Sequence, residues 1–141
     1  MIGDSLPTAI GDDLNGSIGT VPGTDSPGAT KFNEIAKSNN FKAGPYTKES
    51  YDSAALIMLA MQAANSTNSN DFKSKVMDVA NAPGERIFPG ELAIGLKLLS
   101  EGQEIDYVGA SAVELIGGGE SAGNFAEILI DNQKVTTVGY K

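Results

Sequence analysis

The chain has 141 residues, about the length of one domain, and carries 18 acidic against 10 basic side chains for a formal charge of −8. So acidic a balance repels a polyanion and excludes nucleic acid as a partner class. With no Cys and no His, disulfides, thiolate catalysis and zinc's preferred ligands are excluded, and no cofactor is expected.

Met1-Ile2-Gly3-Asp4 has neither a charged n-region nor an apolar h-region, so it does not read as a signal peptide. The longest apolar run, Ala54 to Met61, is far below the roughly 20 residues a membrane helix needs. A soluble chain is expected.

The first thirty residues are rich in Gly, Pro, Asp, Ser and Thr. They read as a strand end, a loop turning at Asn15-Gly16, and a short strand from Ser17 to Val21. Phe32, Ile35 and Ala36 then recur at helical spacing among Lys and Glu, predicting an amphipathic helix. Thr47 suits the cap of a second helix, with Glu49 in its first turn. From Tyr51 to Ala64 only Asp52, Ser53 and Gln62 break an apolar run, which predicts a helix buried on several sides.

Asn70 and Asp71 open a third predicted helix that carries Phe72, Val76, Val79 and Ala80 on its inner side. A fourth runs from about Pro89 to Ser100, with Pro89-Gly90 at its start and Gly102 placed for a left-handed cap. The period then changes from 3.6 to 2. Strands are predicted over Asp106–Val108, Val113–Ile116, Phe125–Ile130 and Val135–Val138, with Asp131-Asn132-Gln133 turning between the last two. Helices followed by strands suit a layered α/β or α+β fold.

Three motifs invite a chemical reading. Gly3-Asp4-Ser5-Leu6 spells the nucleophile block of GDSL hydrolases, but a serine nucleophile needs a base to take its proton. No His exists to serve, and no Ser-x-x-Lys pattern includes Ser5; a loop is the better reading. Gly117-Gly118-Gly119-Glu120-Ser121-Ala122-Gly123 has the glycines of a phosphate-binding loop without the Lys-Ser/Thr pair or the helix that must follow. It reads as a flexible connection between strands. Tyr51-Asp52-Ser53-Ala54 opens the apolar helix, where Asp52 favours the positive end of the dipole and Tyr51 packs as an anchor. The glycosylation-type triplets at Asn15 and Asn65 lie in Asn/Ser-rich loops and read as coincidence.

Taken in order, several pieces resemble one family. Ile2-Gly3-Asp4-Ser5 looks like the strand-to-loop step of the second lobe of type I solute-binding proteins, the receptors of branched-chain amino acid and amide ABC importers. Gly16 to Pro22 resembles their next strand and hinge crossing, Phe32 to Ser38 the helix after it, and Tyr51-Asp52-Ser53-Ala54 their Tyr-Asp-Ala helix start. Ala82 to Ser111, ending in Tyr107-Val108-Gly109-Ala110-Ser111, resembles the segment that leads back across the hinge; Phe125 to Val138 is similar to their final hairpin. The likeness spans essentially the whole chain but only the C-terminal part of the family pattern. One departure is Val113 to Gly119, which replaces a Gly/Asp-rich turn; no ligand contact is expected there.

The resemblance implies an α/β fold: the C-terminal portion of a two-lobed type I periplasmic-binding-protein fold, with about four helices and a C-terminal antiparallel hairpin. Residues 1–22 would end the second lobe, 23–105 would belong to the first, and 106–141 would return to the second. Met1 would then be an internal methionine or the start of a partial gene model. The function implied is that of the substrate-binding component of an ABC importer, periplasmic, reaching the membrane only through the permease subunits. Its ligand would be a small amino acid or amide. Asp4 would meet the ligand ammonium with Ser5 beside it, Ser50 and Tyr51 would line the cleft from the first lobe, and Asp52 would be a hinge or helix-end residue. No catalytic residue is implied. A ligand-sensing regulator with the same fold is the alternative, and a GDSL-type hydrolase a remote one.

Overall fold

Six α-helices, one 3-10 turn and seven strands in three small sheets make a mixed α/β arrangement among the described residues. The computed structural model describes residues 5–44 and 46–141. These residues divide into two units: one takes the residues up to Asp25 together with Gly123–Lys141, the other Ser26–Ala122. The chain therefore passes from the first unit to the second and back again. The sequence reading puts its changes of lobe after residues 22 and 105.

The first unit opens with a short helix, α1 (Ser5–Ile10), and a 3-10 turn (Asp12–Leu14). Strand β1 (Ile18–Pro22) follows, and the remaining strands of the unit, β6 (Phe125–Asp131) and β7 (Lys134–Tyr140), come from the C-terminal segment. They form an antiparallel sheet in the order β1-β6-β7, with Ile18 opposite Leu129 and Ile130 opposite Val135. The central strand alternates as a half-buried strand should: Ala126, Ile128 and Ile130 are buried while the residues between them are not. Asn132 and Gln133 both have positive φ, +49° and +61°, and join β6 to β7 as a two-residue turn of the primed kind.

The second unit begins with α2 (Pro27–Ser38), whose N-cap Ser26 accepts a hydrogen bond from the Ala29 N–H at 3.2 Å. Helix α3 (Thr47–Ala64) is the longest element. Thr47 is its first residue rather than its cap; the hydroxyl reaches back to the Gly44 carbonyl at 2.8 Å, and Tyr46, at φ +60°, turns the chain into the helix. Its buried stripe is Asp52, Ala55, Leu56, Leu59 and Ala60. Ile57 and Met58 on the other side remain exposed, so the helix is buried on one face and not on several. Ile57 and Met58 are 44% and 42% exposed, so that second apolar face is only partly covered.

The predicted third helix is two short ones, α4 (Ser69–Phe72) and α5 (Lys75–Ala80). Asn68 accepts from the Asn70 N–H at 2.9 Å, and Ser66 donates to Asp71 at 2.7 Å. Side chains that bond their own neighbours in this way compete with a continuous helix. Strand β2 (Glu85–Ile87) and β3 (Ile105–Tyr107) run parallel, connected through α6 (Leu92–Ser100). The Pro89-Gly90 pair lies before α6 and not in its first turn. Glu91 N–H donates to the Phe88 carbonyl at 2.9 Å and Gly90 has φ +89°, which is a Pro-Gly β-turn.

The core joins α3 (Ala55, Leu56, Leu59, Ala60) to Val79 and Ala80 of α5, Ile87 of β2, and Ile105 and Tyr107 of β3. Burying a side chain such as Leu59 or Ile105 contributes about 1.5–3 kcal/mol. Gly95 lets α6 approach closely, since a Cβ there would lie 3.0 Å from Leu59 Cδ2 and 3.3 Å from Ile87 Cγ2. A small antiparallel hairpin, β4 (Leu115–Gly117) with β5 (Glu120–Ser121), closes the unit. Gly117, Gly118 and Gly119 all have positive φ at its turn.

Candidate functional site

The polar centre of the second unit is the Asp52 carboxylate. Asp52 is only 2% exposed yet lies one turn into a helix, because it falls on the same stripe as Ala55, Leu56 and Leu59. A buried carboxylate must be met by donors, and four reach it. Oδ1 accepts from the Tyr107 hydroxyl at 2.9 Å and the Ala110 N–H at 2.7 Å; Oδ2 accepts from the Ser111 N–H at 2.7 Å and the Ser111 hydroxyl at 2.5 Å.

Gly109 makes the approach possible: a Cβ at that position would overlap the Asp52 carboxylate. Tyr107 itself is fully buried. Burial, and then the adjacent Asp52 charge, push its hydroxyl far above the usual phenol range, so it stays protonated and donates. This arrangement has strong acceptor–donor complementarity and offers no open position to a ligand. It joins elements rather than doing chemistry.

Tyr51, next to it, is half-buried. Its ring meets Phe32 edge to face at a centroid distance of 5.3 Å, and its hydroxyl accepts the Gly90 N–H at 3.0 Å. That bond ties the Pro-Gly turn before α6 to the start of α3. Ser50 is exposed in the first turn of α3, its N–H donating to the Tyr46 carbonyl at 3.0 Å. Ser5 is exposed at the start of α1, in the first unit. Asp4 lies outside the described residues. Of the five residues singled out from sequence, Ser50, Tyr51 and Asp52 are simply consecutive in the first turns of α3, one exposed, one half-buried and one buried, and Ser5 belongs to the other unit.

Sequence reasoning missed the partners of Asp52. The signal was present on both sides. Asp52 shares the helical phase of the apolar stripe, so it had to be buried and paired. Tyr107-Val108-Gly109-Ala110-Ser111 puts two successive N–H groups and a hydroxyl behind a glycine, a combination suited to an anion. Asn81 was missed as well: its amide donates to the Leu115 carbonyl at 2.7 Å and accepts the Leu115 N–H at 2.9 Å, pinning the start of β4.

An open depression of about 400 Å³ lies in the second unit beside Ala82, Pro83, Leu99 and Ile105. The ionic pair at its border, Lys75 Nζ to Asp78 Oδ2 at 3.0 Å, is largely exposed and already self-neutralised. No group of three acidic side chains able to hold a metal ion is formed among the described residues. No helix among them is long and apolar enough to cross a membrane. Ser5 has no imidazole to activate it, since the sequence contains no His. No family model, no curated protein and no solved structure matches the chain.

Proposed function

We propose that this chain is part of a type I solute-binding protein, and that the whole protein binds a small amino acid or amide for an ABC importer. The single observation that carries the reading is the double passage of the chain: a continuous unit, Ser26–Ala122, is inserted in a discontinuous one. Two further features support a piece of something larger. Among the described residues the second unit holds two parallel strands, whereas parallel sheets are generally larger and covered on both faces. The side of α3 bearing Ile57 and Met58 is apolar and only partly covered.

On this reading Asp4 meets the ligand ammonium, Ser5 adds a hydrogen bond beside it, and Ser50 and Tyr51 contribute from the other lobe. Closure follows from differential affinity: a ligand that touches both lobes only in the closed state shifts the population towards it. The closed receptor is then read by permease subunits from the periplasmic side. Binding makes and breaks no covalent bond, so no catalytic group is required.

The test is a thermal-shift panel of amino acids and short amides on the protein translated from the whole reading frame that contains this chain. A ligand at a hundred times its Kd stabilises by about 2.7 kcal/mol, and the reading expects one member of the panel to raise the melting temperature clearly. A panel with no shift up to millimolar concentration overturns it. A reading frame closed by a stop codon just before Met1 removes the fragment part of the proposal.

A further inference from the structure

The chain leaves the first unit after Asp25 and returns to it after Ala122. Beyond the last β1–β6 pair, Pro22 with Phe125, the Gly23 N–H donates to the Asn124 carbonyl at 3.0 Å. The outward passage then enters α2 at Ser26. There Gly28 is buried, and a Cβ on it would overlap the Gly109 carbonyl oxygen and lie 2.7 Å from that of Val108. One and two turns further, Phe32 and Ala36 pack on Ala110, which is fully buried, with Tyr51 against the same cluster. The return passage starts at this very tripeptide: Gly109, Ala110 and Ser111 lead out of β3 towards the β4–β5 hairpin and Gly123. Its two consecutive N–H groups, at Ala110 and Ser111, are the ones that Asp52 holds.

We infer that Asp52 is the common root of both passages, a positioning residue that fixes the outgoing and the returning chain to α3 through the single segment Tyr107–Ser111. The returning chain is held directly, by four hydrogen bonds. The outgoing chain is held indirectly, because the first turns of α2 rest on backbone whose position Asp52 sets. Asp52 cannot be reduced to a helix cap: its oxygens take no bond from the N–H groups of its own helix, and its partners lie 55 to 59 residues away in sequence. The inference concerns how the second unit holds its two ends, and it stands or falls without reference to the receptor reading.

Hydrogen exchange followed by mass spectrometry on the whole chain tests it. In Asp52→Asn the segment 107–114 exchanges faster, and so does 22–30, each by roughly tenfold, the factor equivalent to about 1.4 kcal/mol. Peptides from α6, in the same unit, are accelerated less than either segment, and those of the β6–β7 hairpin, in the other unit, keep their wild-type rates. Acceleration confined to 107–114, with 22–30 unchanged, overturns the inference and leaves Asp52 as a local clasp. Should Asp52→Asn unfold the chain, Ser111→Ala decides instead: it removes only the hydroxyl arm and is expected to speed both segments by roughly threefold, as loss of one hydrogen bond implies. A Ser111→Ala protein whose 22–30 segment keeps its wild-type rate is equally fatal.

Discussion

Replacing Asp52 by Ala removes the acceptor of four hydrogen bonds at once, and the burial of each donor determines the cost. Tyr107 and Ala110 are sealed from water, at 1% and 0% exposure. Their hydroxyl and N–H are therefore orphaned, at about 1–3 kcal/mol each. Ser111 is only partly buried, so its two donors regain water and add little. The sum is about 4 kcal/mol, a large part of the 5–15 kcal/mol that typically separates folded from unfolded protein. Asp52→Asn keeps one oxygen for Tyr107 and Ala110 but points an NH2 at the Ser111 N–H, and about 2 kcal/mol is expected.

The sharper consequence is a change of sign. Tyr107→Phe alone costs about 1–2 kcal/mol, yet in the Asp52→Ala background it deletes an orphaned hydroxyl and becomes neutral or stabilising. Urea unfolding followed by far-UV circular dichroism measures all four proteins, with the midpoint shift converted through a common slope. The reasoning is refuted if Asp52→Ala lies within about 1 kcal/mol of wild type, or if Tyr107→Phe costs the same in both backgrounds.

Other outcomes follow from the same geometry. The Tyr107 hydroxyl has its folded-state pKa raised, by burial first and Asp52 second, so the stability it contributes is complete below its ordinary value of about 10 and is lost as pH rises beyond it. Denaturant midpoints should fall above that pH, and fall less in Tyr107→Phe. Gly28→Ala and Gly109→Ala each drive a Cβ into fixed atoms, the Gly109 carbonyl and the Asp52 carboxylate, and should cost at least about 2 kcal/mol. Gly102→Ala meets nothing within 4 Å but keeps φ +76°, so its cost is limited to about 1 kcal/mol of backbone strain. Gln133 pays a left-handed conformation, φ +61°, in an exposed turn; Gln133→Gly should stabilise by about 0.5–1 kcal/mol, read as a higher melting temperature.

Much of the architecture was legible because its signals are local. The alternation in Phe125–Ile130 and Val135–Val138 with a polar turn between them defines β6 and β7, which the structure extends to Asp131 and Tyr140. The apolar run after Thr47 defines α3, and Ser17–Val21 matches β1 within one residue at each end. What escaped depends on partners distant in sequence. Strand β2 has three residues and is a strand only because β3 lies parallel beside it. Helix α1, only Ser5–Ile10, carries no capping or periodic signature long enough to stand out from a Gly- and Asp-rich stretch. The third helix breaks because Ser66, Asn68 and Ser74 bond locally.

The same division holds at the site. Tyr51 and Asp52 were visible as a helix start, and the reading of Asp52 as a hinge or helix-end residue placed it away from the ligand. Its four donors come from Tyr107 to Ser111, and no periodicity links residues so far apart. Ser50 and Ser5 are exposed and carry no geometry that sequence alone could have assigned.

Calorimetric titration of leucine, glutamate and short amides into the product of the whole reading frame, wild type and Asp4→Ala, addresses the proposed role most directly. The receptor reading predicts one-to-one binding of one ligand at micromolar Kd or tighter. It also predicts a loss of roughly 10- to 100-fold in Asp4→Ala, as expected when a charged hydrogen bond of about 1.5–3 kcal/mol is removed. The 141-residue chain alone is predicted to bind weakly or not at all. Flat titrations for every ligand with the whole protein would contradict the receptor reading, and micromolar binding by the 141 residues alone would contradict the claim that they are only part of it.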